Sequence, residues 1–92
     1  MTVGSLRVRL LLRESRTLKD KRQVISSIKD KLKQRFNVSV AEVEAQDNRQ
    51  MAILRFAMVG NEASHVRKTL QQIVEALRSH PVAELIDHEL EV

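Results

Sequence analysis

Ninety-two residues with a formal net charge of +4 and no cysteine are enough for one domain, residues 1–92, and leave neither a disulfide framework nor a thiolate metal site to consider. No run approaches eighteen apolar residues, and Arg7, Arg9 and Arg13 break up the first apolar stretch. Neither a membrane span nor a leader-like segment is therefore expected, and the expected location is cytoplasmic. The charge is unevenly placed: residues 1–36 carry 11 Lys/Arg against 3 acids, while residues 37–92 carry 5 against 9. Attraction for an anionic partner should come from the first third of the chain.

Residues 3–13 alternate, with Leu6, Val8, Leu10 and Leu12 on one side and Arg7, Arg9, Leu11 and Arg13 on the other. Period two predicts a half-buried strand. Thr17 has the character of a helix N-cap, with Asp20 at the capping-box position. Apolar residues at 18, 25, 28, 32 and 36 then mark one helical face, and Asn37 tolerates the left-handed conformation that ends many helices. Residues 38–46 alternate but change phase between Val40 and Ala41, which predicts a β-bulge near Ala41-Glu42 on an edge strand. Asp47-Asn48-Arg49 has turn chemistry. Residues 50–59 are apolar on both faces except at Arg55 and are expected to form a central strand. Asn61 or Ser64 should cap a second helix with apolar positions 66, 70, 73, 74 and 77, stopped before Pro81. Residues 82–92 supply a last strand, with Ile86, Leu90 and Val92 opposite Asp87, Glu89 and Glu91.

The order β-α-β-β-α-β predicts an α+β, ferredoxin-like fold. Right-handed crossovers give an antiparallel sheet in the order 4-1-3-2 with both helices on one face. The expected core is Leu6, Val8, Leu10, Ile25, Ile28, Leu32, Leu54, Phe56, Val66, Leu70, Ile73 and Leu77.

Charge singles out the first helix. From Arg16 to Arg35 there are 8 Lys/Arg against 2 acids, and such a helix accepts repulsion that alternating signs would avoid. Arg16, Lys19, Lys21, Arg22, Lys29 and Lys33 are the candidate phosphate contacts. The arginine row of the first strand is expected instead to be neutralised by Asp87, Glu89 and Glu91 across the ladder. Ser15-Arg16-Thr17 precedes a helix N-terminus and is expected to be an ordinary cap rather than an anion site. The three histidines lack metal-ligand spacing, no nucleophile turn or phosphate-cradling loop is present, and no cofactor, metal or catalytic residue is expected. Phe36 and Phe56, the only aromatics, both fall in apolar registers, so base stacking on an exposed sheet is not expected either.

The strings Thr17-Leu18-Lys19-Asp20-Lys21-Arg22, Arg35-Phe36-Asn37-Val38-Ser39-Val40-Ala41-Glu42-Val43 and Gln46-Asp47, with the closing Ser79-His80-Pro81, resemble the YlxP-like family of small bacterial proteins. The resemblance covers essentially the whole chain. It implies a ferredoxin-like fold, no established enzymatic role, and an association with translation and ribosome-maturation factors through gene neighbourhood. Asn48-Arg49-Gln50 stand where relatives often carry an aromatic residue.

Two expectations follow. One is a non-enzymatic protein bound to RNA or to a ribosome-assembly particle through the basic first helix. The alternative is a self-associating structural or regulatory module, a homodimer for instance, that uses Ile53, Arg55, Ala57 and Val59 on the open sheet face.

Overall fold

The computed structural model describes all residues 1–92. The elements are β1 (Thr2–Leu11), α1 (Leu18–Arg35), β2 (Ser39–Glu44), β3 (Met51–Gly60), α2 (Ala63–Arg78) and β4 (Glu84–Glu91). The four strands form one antiparallel sheet in the order β2-β3-β1-β4, the ferredoxin-like topology expected from the sequence. Both helices cover one face. α2 lies over β1, β3 and β4, and α1 lies toward β2.

Strand alternation builds the core. Leu6, Val8, Leu10 and Leu12 are fully buried, as are Ala52 and Leu54 on the neighbouring strand, with Phe56 nearly so. Ile25, Ile28 and Leu32 from α1, and Val66, Leu70, Ile73 and Leu77 from α2, close over them. All twelve residues of the expected core are buried.

α1 starts with the capping box that Thr17 and Asp20 suggest. Asp20 N–H donates to Thr17 Oγ1 at 3.1 Å, and the Asp20 carboxylate accepts from the N–H groups of Thr17 (3.2 Å) and Arg16 (3.1 Å). Those two bonds, the one from Arg16 first, hold the Asp20 carboxyl below its ordinary range. The helix ends without a left-handed residue: Phe36 is extended and donates its N–H to Leu32 O at 2.8 Å. Asn37 therefore does not play the stop role its conformational tolerance suggests. α2 begins at Glu62 with no side-chain cap, so neither Asn61 nor Ser64 has the expected part.

Two bulges adjust the edge strands. In β2 the register slips between Glu42 and Glu44, making Val43 the extra residue, one position beyond the expected pair. In β4 the slip places Leu85 opposite Leu10 and Asp87 opposite Arg9. Ile86 is thereby displaced to the surface, and Leu85 takes the half-buried position that simple alternation assigns to Ile86.

The two glycines of the chain serve one contact. A Cβ on Gly4 would lie 2.5 Å from Val66 Cγ1, and one on Gly60 would lie 2.8 Å from Val66 Cγ2. Absent side chains at both positions let the first turn of α2 settle onto the sheet.

Candidate nucleic-acid interface

The first-strand arginines are engaged. Arg9 pairs with Asp87 directly across the ladder, and Arg13 Nε donates to Glu84 at 2.9 Å. Arg7 reaches the other way, across β3, to Glu44 of β2 at 3.3 Å. That hydrogen bond raises the Arg7 guanidinium above its ordinary value. Arg7, Arg9 and Arg13 are thus tied into ion pairs and do not form a free basic platform, and Arg55 of β3 is left without an acid.

Ile53 belongs to this face but is only 6% exposed. It sits between Arg9 and Glu44 in register, and the Arg7–Glu44 pair must cross β3 beside it. Ile53 is therefore unavailable as a self-association contact. Arg55, Ala57 and Val59 do remain exposed, and Val3 and Val59, opposite each other in the ladder, are 59% and 56% exposed.

On α1 the candidates divide. Arg16, Lys19, Arg22 and Lys33 are exposed, and Lys29 is half-buried at the flank. Lys21 is not on the surface at all: its exposure is 0%. Its ammonium donates to Ala45 O (2.9 Å), Met51 O (3.1 Å) and Gln46 O (3.2 Å). A lysine has three N–H donors, and all three are used. Glu42 Oε2 lies 3.0 Å from the same nitrogen but accepts no hydrogen bond from it. The carboxylate supplies compensating charge, and the carbonyls supply the bonds. Lys21 is thus withdrawn from the phosphate-binding set, because a polyanion cannot reach it.

Sequence spacing carries the signal for this. Positions 21, 25, 28 and 32 continue one helical stripe, so Lys21 occupies the row of Ile25, Ile28 and Leu32. The receiving loop is shaped for it. Ala45 is the one non-glycine residue with positive φ, at 55°, and it turns its carbonyl into the cluster. Asn48 Oδ1 accepts from the N–H groups of Gln50 and Met51, both at 2.9 Å, and closes the hairpin.

After Lys21, Arg7, Arg9, Arg13 and Arg78 have found acids, no other basic side chain lies within ion-pair distance of one. On α1 this leaves Lys19, Arg22, Lys29, Lys31, Lys33 and Arg35. Arg35 stacks over the Phe36 ring at 5.0 Å. Between the helices an open groove of about 430 Å³ is bordered by Arg35, Lys68, Gln71, Gln72 and Ser79. Its one acid, Glu75, is paired with Arg78 at 3.2 Å. The anion site conceivable at Ser15-Arg16-Thr17 is filled from within, since the Asp20 carboxylate takes those N–H groups. His80 is also structural: its Nδ1 accepts from Ala83 N–H (3.0 Å) and Val82 N–H (3.2 Å), fixing the entry to β4.

The profile of a family described as a protein of unknown function (DUF503) matches residues 3–90. The chain belongs to that family. It is 28% identical to the uncharacterized protein YlxP of Bacillus subtilis (strain 168) over 82 residues, 89% of each chain. The strings at residues 17–22, 35–43 and 46–47 meet in space. Thr17 and Asp20 cap α1, Lys21 leaves its first turns, and Glu42 and Gln46 receive it. In this chain Lys21, Glu42 and the carbonyls of Ala45 and Gln46 form a clasp between the first helix and the hairpin. No group of three or more His, Asp or Glu side chains is placed to hold a metal ion, and no helix is long and apolar enough to cross a membrane.

Proposed function

We propose that this protein is a non-enzymatic module that binds the phosphate backbone of RNA, free or in a ribosome-assembly particle, through the outer face of α1. The observation that carries the reading is the placement of uncompensated charge. Ion pairs neutralise Arg7, Arg9 and Arg13, whereas Lys19, Arg22, Lys29, Lys31, Lys33 and Arg35 have no acid at ion-pair distance, and Arg55 is the one sheet arginine in the same state. An isolated helix gains little from like charges at such spacing, and a phosphate backbone offers the matching counter-charge. Arg16 extends the same surface beyond the helix start.

Binding to RNA or to ribosomal particles should weaken steeply with salt. The log–log slope should be about −0.7 to −0.9 per phosphate neutralised. Lys29→Glu with Lys33→Glu should weaken association across all sequences alike, because backbone contacts position without specifying. Arg7→Gln with Arg9→Gln is the control, expected to disturb the sheet face more than binding. Unchanged association after the Lys29/Lys33 reversal at low salt would remove the reading.

A second reading rests on the exposed Val3–Val59 pair, with Ala57 and Arg55 beside it. A second copy laid on that end of the sheet would cover apolar surface, most simply about a two-fold axis. Sedimentation at tens of micromolar decides it, and a monomer rules it out.

A further inference from the structure

The free cations of α1 are not spread evenly around the helix, and their arrangement narrows the kind of nucleic acid that fits. At about 100° per residue, Arg22 and Lys31 lie about 180° apart. Lys29, Arg22 and Lys33 form one row, on the flank turned away from α2, and Lys19 stands at the start of the crest beside it. Lys31 and Arg35 form a second row on the flank facing α2. Both side chains border a small cavity against Ala76, Leu77 and His80, and Lys68 stands across the neighbouring groove from Arg35.

Along the crest between the rows run Gln23, Ser26, Ser27, Asp30 and Gln34, and the short serines make it a shallow saddle. The crest is rich in hydrogen-bonding groups and carries one negative charge. It offers no aromatic surface, since Phe36 and Phe56 are buried.

A helix face with cations on both flanks and short hydrogen-bonding side chains between them, Asp30 included, matches a groove walled by two phosphate rows. With side chains a helix is about 10–12 Å across; at 1.5 Å per residue the first row runs about 16 Å from Arg22 to Lys33 and the second about 6 Å from Lys31 to Arg35. A single strand presents one phosphate row and is normally held by stacking its bases on aromatic rings, which this surface lacks. Asp30 would repel a phosphate but accepts a hydrogen bond from a ribose 2′-hydroxyl. Gln23, Ser26, Ser27 and Gln34 have suitable reach for the same groups. The wide, shallow minor groove of A-form RNA displays those hydroxyls.

We infer that the partner is double-helical RNA, with α1 laid on the minor groove so that its two cationic rows meet the phosphates of both strands. The inference rests on the proposed RNA-binding reading and specifies its ligand.

The test uses a duplex RNA of about 16 base pairs, one of its strands alone, and the DNA duplex of the same sequence, titrated at low salt by fluorescence anisotropy. The duplex RNA should bind about tenfold more tightly than either alternative. The first-flank variant Lys29→Glu/Lys33→Glu and the second-flank variant Lys31→Glu/Lys68→Glu should each weaken it comparably, and unchanged melting temperatures would show both variants folded. Equal binding of the single strand, or loss confined to the first flank, overturns the inference and leaves RNA binding itself intact. Equal binding of duplex DNA overturns the assignment to a ribose-lined groove. No binding of any probe removes the RNA-binding reading as well.

Discussion

Glu42 Oε2 stands 3.0 Å from Lys21 Nζ, yet every hydrogen bond the ammonium makes goes to a backbone carbonyl of the following hairpin. The pair therefore acts as a clasp between α1 and the β2–β3 loop, buried on the lysine side and 15% exposed on the carboxylate side. Lys21→Met keeps the length of the side chain and deletes its charge. Three carbonyls would lose their donor and Glu42 its counter-ion, a loss of about 3–5 kcal/mol. Chemical denaturation should show this, and hydrogen exchange should show the amides of residues 46–50 losing protection first. A near-neutral melting shift would mean that the clasp is dispensable.

The contact of Val66 with Gly4 and Gly60 makes a separate prediction. Gly4→Ala forces a methyl group to within 2.5 Å of Val66, and overpacking of this kind costs about 1–3 kcal/mol. Val66→Ala removes the obstructing methyls at the price of a cavity. The double variant should then be less destabilised than the sum of the two single ones, a coupling that a double-mutant cycle in urea measures directly.

Core truncation should divide by element. Ile28→Ala, Leu32→Ala and Leu70→Ala each empty a buried site and should cost about 2–5 kcal/mol. Leu70, fully buried under the centre of α2, belongs at the upper end. Leu32, at 6% exposure near the end of α1, belongs lower. Thermal melts of the three variants check the order.

His80 gives stability a pH dependence of defined sign. Burial first, and the nearby Lys31 charge second, hold its imidazole below the ordinary value of 6.5. The neutral ring is also what the turn needs, since Nδ1 accepts two N–H groups. The unfolded chain binds this proton more readily than the folded one. The contribution is therefore present in full above about pH 6.5 and is lost as the pH falls toward the folded-state value. Melting temperature followed from neutral pH down to about pH 5 should fall in the parent and flatten in His80→Gln. Asp20 acts in the same direction in a separate, more acidic window, below its ordinary 3.8.

Much of this architecture is legible in the residues themselves. Period two in residues 3–13 and 50–59, the Thr17–Asp20 cap, and the apolar stripes of both helices lead directly to the sheet order and the core. The failures have physical causes. Lys21 carries a charge, and charge usually means surface. Its stripe position shows its burial, but the three carbonyls that make burial tolerable come from a loop 24–30 residues away. Ile53 has an outward parity but is covered where Arg7 reaches across β3 to Glu44 of the outer strand. Ile86 follows the alternation of its own strand until a bulge resets it. The misses at Lys21 and Ile53 depend on partners distant in sequence, which local pattern does not contain.

One consequence of the clasp concerns the rim of the sheet rather than its interior. β2 is an outer strand, and its unpaired backbone groups invite another chain to add on. Glu42 turns a charge inward on that strand, and the register slip at Val43 follows immediately. Inward-pointing charges and bulges are devices by which sheets resist edge-to-edge growth. The ion pair that fastens the hairpin also makes this border a poor template for aggregation.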